Sequence, residues 1–301
     1  MADALDLGSS VFRRAGSSPV TRTKKSGTLQ DAAFCFQETF MNRKLISLNL
    51  DDIPNVFHNL FDSVKIYDSS CSPEARVYLV DKDCGYYLKS APKESLKLES
   101  DLTKYSYSKG LGTEVLEYIS LDKDWMLTKK VVGEDCTHDM YLNNPKKLCD
   151  TTAELLLNLH NTEYKDCPIK NRTESYINTA KYNYLTGNYD KSAFPDSFGY
   201  SSAEEAWKVV EKHSHCLKND VLIHGDYCLP NIMLDNWKFS KYIDLGNGGV
   251  GDRHIDVFWG IWSLQFNLKT NKFASRFIDA YGRKNIDIDM LKLVAACEVF
   301  G

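Results

Sequence analysis

The sequence predicts an α+β fold of two lobes, in which a small lobe with an antiparallel sheet precedes a larger, mainly helical lobe. Two observations lead to this prediction. Between residues 61 and 127 apolar residues mostly alternate with polar ones, as in half-buried strands. From about Asn144 they recur every three or four positions, as in amphipathic helices. We place the small lobe at residues 41–130 and the large lobe at residues 131–301.

The small lobe is predicted to contain several strands and one helix. The segments SVKIYDSS and ARVYLVD alternate apolar and polar residues on either side of a turn-like stretch, which is typical of a β-hairpin. GYYLKSA indicates a third strand, and TEVLEYISLDKDWMLTKKV indicates two more. Between them, the segment LKLESDLTKYSYSK carries apolar residues at mixed helical spacing, which favours a helix.

Residues typical of helix starts and of turns divide the large lobe into predicted helices, a strand and a hairpin. PKKLCDTTAELLLNLHNT begins with Pro145, where proline suits the start of a helix. SSAEEAWKVVEKHSHCL begins with a serine cap and two early glutamates. VLIHGD indicates a short apolar strand that enters a loop, and NIMLDNWKFSKYIDLG indicates a hairpin. The last segment, DIDMLKLVAACEVFG, is predicted to be helical.

The first forty residues differ from the rest of the chain. MADALDLGSSVFRRAGSSPVTRTKKSG is rich in serine, glycine and arginine, shows no periodicity, and lacks an apolar run of signal-peptide length. We interpret residues 1–40 as a leader that is disordered or not native to the protein. The folded part is then expected to begin near Met41.

Composition narrows the classes of function. The chain has 301 residues, of which 43% are hydrophobic and 26% charged, as in globular proteins with a full core. Its net charge of −4 and the lack of a basic stripe argue against a nucleic-acid partner. No stretch approaches the roughly 18 apolar residues of a membrane span. Nine cysteines stand singly, which fits reduced thiols. We expect a cytoplasmic protein, either a monomer or a weak dimer.

Two neighbouring segments combine carboxylates with an amide. HGDYCLPN carries Asp226 and, five positions later, Asn231, while KYIDLGNGG carries Asp244. Transfer of a phosphoryl group from ATP needs a carboxylate that orients the attacking hydroxyl and hard oxygen ligands that hold Mg²⁺. Asp226 would face the hydroxyl, and Asn231 and Asp244 would bind the metal. The alternative is a turn-rich loop of Asx residues, which would require this spacing and its flanking strands to arise by chance.

The same segments resemble a known family. HGDYCLPN is similar to the catalytic loop of protein kinases, and IDLG is similar to their D-F-G element. The CLPN tail and FSKYIDLGNGGVGDRHIDV resemble the aminoglycoside 3'-phosphotransferases in particular, and the likeness runs over most of residues 60–301. It implies a bilobal protein-kinase-like fold and an ATP-dependent, Mg²⁺-requiring transfer of phosphate to a hydroxyl of an aminoglycoside, most simply the 3'-hydroxyl, which confers antibiotic resistance.

The resemblance also implies how ATP is bound. Lys89 would pair with the α- and β-phosphates, and Glu99 on the next helix would be its ion-pair partner. CSPEA resembles the loop that covers the phosphates, with Ser72 as a donor. MLTKKVVG matches the hinge between the lobes, where backbone groups near Lys129 and Val131 would meet adenine. Taken alone, Lys89 could be a solvated edge charge, Glu99 an exposed helix charge and Ser72 a turn cap.

The large lobe carries further expectations from the resemblance. The terminal CEVFG resembles an acidic C-terminal end, which implies that Glu298 contacts ammonium groups of the substrate. His224 is interpreted as a scaffold histidine rather than a proton shuttle. Asp256 resembles the aspartate that holds the backbone amides of the catalytic loop in kinase folds. Asp252 either caps the helix that starts beside it or serves the site.

One departure from the family leaves alternatives open. Relatives commonly carry an arginine shortly after the metal-binding aspartate, as IDLGR, where this chain has Asn247. Loss of that cation would weaken turnover, change the local electrostatics, or be offset by Arg253. The alternatives are a kinase of another small alcohol, such as choline, methylthioribose or a macrolide, and a pseudokinase that binds nucleotide without turnover. A protein kinase is disfavoured because no A-P-E element follows IDLG.

Overall fold

The computed structural model of the chain describes residues 43–70, 75–190 and 198–301. The predicted leader at residues 1–40 and Ser72 therefore lie outside the described residues. Within the described ranges, no helix is both long enough and apolar enough to cross a membrane.

The chain forms two compact units. The amino-terminal unit contains the described residues up to Val132 together with Ser240–Gly246. The carboxy-terminal unit contains Gly133–Phe239 and Asn247–Gly301. Asp244 therefore belongs to the first unit, although it follows the catalytic-loop motif in the sequence.

The amino-terminal unit has a six-stranded antiparallel sheet with strand order β1-β2-β3-β4-β6-β5. The segments that alternate apolar and polar residues form β2 to β6, which confirms their prediction as strands. β1 is too short for alternation to reveal it. The bounds are β1 Lys44–Ile46, β2 Lys65–Asp68, β3 Arg76–Asp81, β4 Tyr86–Pro92, β5 Val115–Ser120 and β6 Lys123–Lys129.

One face of this sheet packs on an apolar core. Leu88 in β4 is fully buried in that core. Because successive side chains of a strand point to opposite faces, the next residue, Lys89, points to the other face. The other residues of the core come from β2, β3, β6 and the turns that precede β2; they are Ile53, Phe57, Phe61, Ile66, Val80, Trp125 and Leu127.

The predicted helix of the small lobe is confirmed as α1, Lys97–Ser108. Its start is fixed to the sheet because the backbone N–H of Leu96 donates to Asp124 Oδ2 at 2.9 Å. Leu96 also packs with Ala91 of β4 and Met126 of β6. Met126 lies directly opposite Lys89 in the antiparallel register, so α1 begins on the face of the sheet that carries Lys89.

The carboxy-terminal unit is mainly helical, as predicted, and the α+β class is confirmed. Its central helix, α6 (Arg253–Leu268), buries Val257, Phe258 and Ile261 and contacts the helices that precede and follow it. Asp252 caps α6 by accepting the N–H of His254 at 2.8 Å, which confirms the capping interpretation. The helices are α2 Asp139–Leu142, α3 Pro145–His160, α4 Arg172–Thr186, α5 Ala203–His213, α6 Arg253–Leu268, α7 Ala274–Tyr281 and α8 Ile288–Glu298.

Short strands position the loops of this unit. β8 (Val221–Ile223) pairs antiparallel with β11 (Gly249–Gly251), and Ile223 lies opposite Gly249. This pairing brings the loop that follows β8 beside the residues that precede β11. A second small sheet has the order β10-β9-β7, with β7 at Glu134–Asp135, β9 at Ile232–Asp235 and β10 at Lys238–Tyr242, so the predicted hairpin is confirmed.

Candidate active site

The HGD motif forms a tight loop at the end of β8. Gly225 has a φ of +80°, a conformation that residues with a Cβ rarely adopt. A Cβ at this position would lie 1.9 Å from the backbone oxygen of Asn247. Glycine is therefore required both for the turn and for the close approach of the chain at Asn247. Asp226 follows directly.

Asp256 on α6 fixes the backbone of this loop. Its Oδ2 accepts the N–H of His224 at 2.7 Å, and its Oδ1 accepts the N–H of Gly225 at 2.7 Å. His160 Nε2 lies 3.2 Å from Asp256 Oδ2, and the Asp226 N–H donates to His224 Nδ1 at 3.3 Å. Asp256 and His224 are fully buried. Both residues are therefore architectural in this structure, as the sequence predicts.

Asp226 and Asn231 lie together on the catalytic loop. The side-chain amide nitrogen of Asn231 donates to the backbone oxygen of Asp226 and to its Oδ2, both at 3.0 Å. The first contact closes the loop, and the second orients the carboxylate. Asn231 Oδ1 makes no hydrogen bond with the residues that the structure describes, so it is available as a hard oxygen ligand.

Lys89, Glu99 and Asp244 meet within the amino-terminal unit. The ammonium of Lys89 donates to Glu99 Oε1 and Oε2, both at 2.8 Å, and to Asp244 Oδ1 at 3.0 Å. The three residues come from β4, α1 and the segment that follows β10. The ion pair between Lys89 and Glu99 that the sequence predicts is thus present. Glu99 is 10% exposed at its side chain, whereas Asp244 is 41% exposed.

The charges of this cluster keep Lys89 protonated. Burial lowers the pKa of Lys89, but the negative charges of Asp244 and Glu99 outweigh burial and raise that pKa above its ordinary value. Asp244 has a φ of 56°, in the left-handed region where non-glycine residues are uncommon. Such strained residues are frequent at functional sites.

The donor atoms suit Mg²⁺ better than a transition metal. Magnesium is usually held by one or two protein oxygen ligands together with phosphate oxygens of a substrate. Asp244 offers a half-exposed carboxylate and Asn231 offers an amide oxygen, both of them hard ligands. Within the described ranges no group of three or more His, Cys, Asp and Glu side chains is placed to hold a metal ion by itself. Each of the two oxygens, one in either unit, therefore has the chemistry of a single ligand to a metal whose other ligands are phosphate oxygens.

The segment predicted as the adenine-binding hinge lies at the end of β6. Lys129 donates its backbone N–H to the oxygen of Glu114 at 3.1 Å, and its own backbone oxygen accepts the hydroxyl of Thr113 at 2.6 Å. Val131 is buried, and its backbone groups have no hydrogen bond to any residue in the described part of the chain. Of the two predicted residues, Val131 is therefore the one whose backbone groups have no partner in that part of the chain.

Glu298 at the end of α8 is a carboxylate held by neutral donors. It is only 8% exposed, and its Oε1 accepts the hydroxyl of Tyr176 at 2.7 Å and the indole N–H of Trp259 at 3.1 Å. Burial raises the pKa of Glu298 to about 7; the two hydrogen bonds act in the opposite direction, and the charge of Asp226 adds to the rise. The electrostatic coupling links Glu298 to the catalytic loop.

Two partners of Glu298, Tyr176 and Trp259, are not among the residues predicted from the sequence. Trp259 lies three positions after Asp256 on α6, so helical spacing could have placed it near the loop. Tyr176 lies on α4, whose sequence RTESYINTAKYNYLT has no clear apolar period and gives no comparable signal.

Asn247 contacts a cation that the sequence analysis does not name. Arg253 lies 3.7 Å from Asp220. Arg172, the first residue of α4, instead donates from Nη2 to Asn247 Oδ1 at 2.6 Å. Asn247 therefore has a cationic partner in Arg172, and compensation by Arg253 stays a prediction. Nothing in the sequence connects these two positions, because 75 residues separate them.

The fold, the constrained Asp226–Asn231 loop and the lysine held by a helix carboxylate define a phosphotransferase of kinase-like fold. The family model of APH, the phosphotransferase enzyme family, matches residues 72–293, and the chain belongs to this family. A known protein of Lactococcus lactis subsp. lactis, a probable aminoglycoside 3'-phosphotransferase, is 48% identical over 261 residues, which cover 86% of this chain and 99% of the relative. An aminoglycoside 3'-phosphotransferase of Niallia circulans is 27% identical over 59% of this chain and 67% of the relative.

Solved structures confirm the predicted kinase-like fold. The crystal structure of an aminoglycoside-3'-phosphotransferase of type VIII matches with a TM-score of 0.67 at 19% identity, over 84% of this chain and 99% of the other. The aminoglycoside phosphotransferase APH(3'')-Id of Streptomyces rimosus, in complex with ADP and streptomycin, matches with a TM-score of 0.60 at 19% identity, over 75% and 90% of the two chains. At these identities the likeness concerns the fold.

Proposed function

We propose that this protein transfers the γ-phosphoryl group of ATP to a hydroxyl, the 3'-hydroxyl, of aminoglycoside antibiotics and so confers resistance to them. The observation that carries the proposal is the 48% identity to the probable aminoglycoside 3'-phosphotransferase of Lactococcus lactis over 99% of its length. The local geometry around Asp226 and Lys89 supports the reaction type. We expect the enzyme to act in the cytoplasm as a monomer or weak dimer.

ATP binding is assigned to the amino-terminal unit. Lys89, which Glu99 holds from both carboxylate oxygens, would direct its ammonium to the α- and β-phosphates. The backbone of Val131 would bind the adenine edge, with Lys129 beside it. Ser72 stays a predicted donor to the phosphates.

Asp226 would orient the attacking hydroxyl and accept its proton as its oxygen bonds to the γ-phosphorus and the bond from that phosphorus to the ADP oxygen breaks. The hydrogen bond from Asn231 holds the carboxylate in one orientation before the substrate arrives. Asn231 Oδ1 and the carboxylate of Asp244 would hold Mg²⁺, which when bound neutralises charge on the phosphate oxygens. The work of the protein is therefore mainly positioning and electrostatic stabilisation.

Glu298 is assigned to recognition of the substrate. An aminoglycoside carries several ammonium groups, and Glu298 is a buried carboxylate whose hydrogen bonds come from the uncharged donors Tyr176 and Trp259. An ammonium group of the substrate would favour its ionised form, because an opposite charge lowers the pKa of a carboxyl group. Binding is thus expected to release the proton that burial retains.

The proposal is tested by expression of the full chain in an aminoglycoside-susceptible bacterium, followed by growth-inhibition assays. We expect resistance to compounds that bear a 3'-hydroxyl, such as kanamycin, and none to matched compounds that lack it. The control is Asp226→Asn expressed at the same level, which should leave the host susceptible. A purified protein that phosphorylates choline, methylthioribose or a macrolide but no aminoglycoside would overturn the substrate assignment, and one that binds ATP without any transfer would indicate a pseudokinase.

A further inference from the structure

Residues 169–173, which lead into α4 and form its start, lie along residues 247–252, which include β11. The N–H of Val250 donates to the backbone oxygen of Ile169 at 2.8 Å. Three residues on, Arg172 Nη2 donates to Asn247 Oδ1 at 2.6 Å, and Thr173 Oγ1 accepts the N–H of Asp252 at 2.9 Å. Residues 169–173 are therefore hydrogen-bonded to residues 247–252 through both backbone and side-chain groups.

On its other side, Asn247 contacts the catalytic loop. A Cβ on Gly225 would lie 1.9 Å from the backbone oxygen of Asn247 and 2.9 Å from its Cβ, so the two residues are packed without space between them. Gly225 is also held by Asp256 and directly precedes Asp226. A displacement of Asn247 would consequently be transmitted to the backbone that carries Asp226.

Arg172 occupies an unfavourable position for a cation. It is the first residue of α4, where the positive end of the helix dipole disfavours a positive charge. Burial lowers its pKa, which shows that its charged form is also partly desolvated. A local cost of this kind, offset here by a short hydrogen bond to Asn247, is typical of functional or strained sites.

We propose that Arg172 is a positioning residue of the active site, which fixes Asn247 against Gly225 and thereby sets the orientation of the Asp226 loop. The inference rests on the proposed function and assigns to Arg172 a role in turnover. The charged guanidinium makes a stronger hydrogen bond to the Asn247 amide than a neutral donor would. Its effect on the reaction is indirect and passes through Asn247 and Gly225.

The test is a kinetic comparison of Arg172→Ala and Arg172→Lys with the wild-type protein in a phosphate-transfer assay with kanamycin. We expect Arg172→Ala to lower kcat by about 10²-fold, the scale expected for a small misplacement of a catalytic group. KM for ATP should change little, because Lys89 and Glu99 lie in the amino-terminal unit. Arg172→Lys keeps the charge and should recover part of kcat. The matched control is Arg276→Ala, which removes a surface arginine paired with Asp150 and should leave kcat unchanged.

A double-mutant cycle with Asn247→Ala identifies the route of the effect. If Arg172 acts through Asn247, the double variant loses no more kcat than the more impaired single variant, whereas independent effects would add. Wild-type kcat in Arg172→Ala, or additive losses, would overturn the inference. A lower melting temperature with unchanged kcat would do the same, since it would show a structural role only. A wild-type protein without transfer activity would instead overturn the proposed function.

Discussion

Among single residues, Asp226 has the central proposed role, that of the base that accepts the proton of the attacking hydroxyl. Its carboxylate is already oriented by Asn231, so loss of the charge should affect the reaction far more than the fold. We predict that Asp226→Asn lowers kcat by about 10²- to 10⁴-fold, the range that a general base typically contributes. The measurement is steady-state transfer to kanamycin, together with the melting temperature, which should stay close to the wild-type value.

A matched variant separates this effect from a general loss of acidic charge. Asp235→Asn changes an exposed aspartate at the end of β9, whose contact is with the neighbouring Asn236, and should turn over normally. Near wild-type turnover in Asp226→Asn would remove Asp226 from the mechanism.

Glu298 gives a prediction about pH at the same scale. Its pKa is raised from 4.5 to about 7 in the folded protein, so the unfolded chain releases this proton at lower pH than the folded chain does. The resulting loss of stability is absent below the unfolded pKa, grows as pH rises from 4.5 to 7, and is complete above that range. Glu298→Gln should therefore be more stable than wild type at pH 8, by about 3 kcal/mol, and equally stable near pH 4.5.

Denaturant unfolding of both proteins across this pH range measures the difference. Glu204→Gln, an exposed change at the start of α5, serves as the control and should follow the wild-type profile. A constant difference between Glu298→Gln and wild type at all pH values would contradict the prediction. Such a result would mean that Glu298 ionises in the same way in both states.

At the scale of elements, the ion pair between Lys89 of β4 and Glu99 of α1 is a charged link between sheet and helix. We predict that Glu99→Gln raises KM for ATP by about 10-fold, because Lys89 loses a charged partner that holds it toward the phosphates. KM for the aminoglycoside should change much less. Initial rates at varied ATP and varied kanamycin measure both constants.

α1 itself supplies the control for this prediction. Asp101 lies on the same helix and pairs with Lys97, but both side chains are substantially exposed. Surface pairs of this kind contribute little, so Asp101→Asn should leave both KM values unchanged. An equal rise in KM for ATP in the two variants would indicate that the helix, rather than the ion pair, is what matters.

At the scale of the whole molecule, ligand binding should stabilise the folded protein through mass action. ATP with Mg²⁺ at about 100 times its Kd is expected to add about 2.7 kcal/mol to the free energy of unfolding, and the melting temperature should rise accordingly. Removal of the metal with EDTA should abolish turnover and most of the rise. Asp244→Asn should bring the melting temperature with ATP close to that with ATP and EDTA. An undiminished rise with EDTA would contradict an Mg²⁺ site at Asp244.

The fold is largely predictable from the sequence because its elements carry strong periodic patterns. Alternation reveals β2 to β6, and helical spacing reveals α1, α3 and α5. The Lys89–Glu99 pair is predictable because it joins two such elements, which the resemblance to a known family puts in register. β1 cannot be predicted from its sequence because three residues show no period. α4 cannot be predicted because its apolar residues do not repeat on one face.

Details of the candidate site that depend on tertiary packing are not predictable in the same way. The contact of Arg172 with Asn247 joins positions that no local pattern relates. The raised pKa of Glu298 follows from burial, which outweighs the hydrogen bonds from Tyr176 and Trp259, and the sequence reveals neither. Local patterns locate the chemical groups, while packing determines their partners.

Ser240–Gly246 belongs to the amino-terminal unit, although it lies far along the chain, and this limits where the protein can be cut into two fragments. A fragment cut after Val132 would lack Asp244, one of the two carboxylates that Lys89 binds. If the two halves were expressed as separate polypeptides, Asp244 would be on the carboxy-terminal polypeptide although it contacts Lys89 of the amino-terminal unit. In a domain exchange with a related enzyme, the six-stranded sheet and Ser240–Gly246 should therefore come from the same protein.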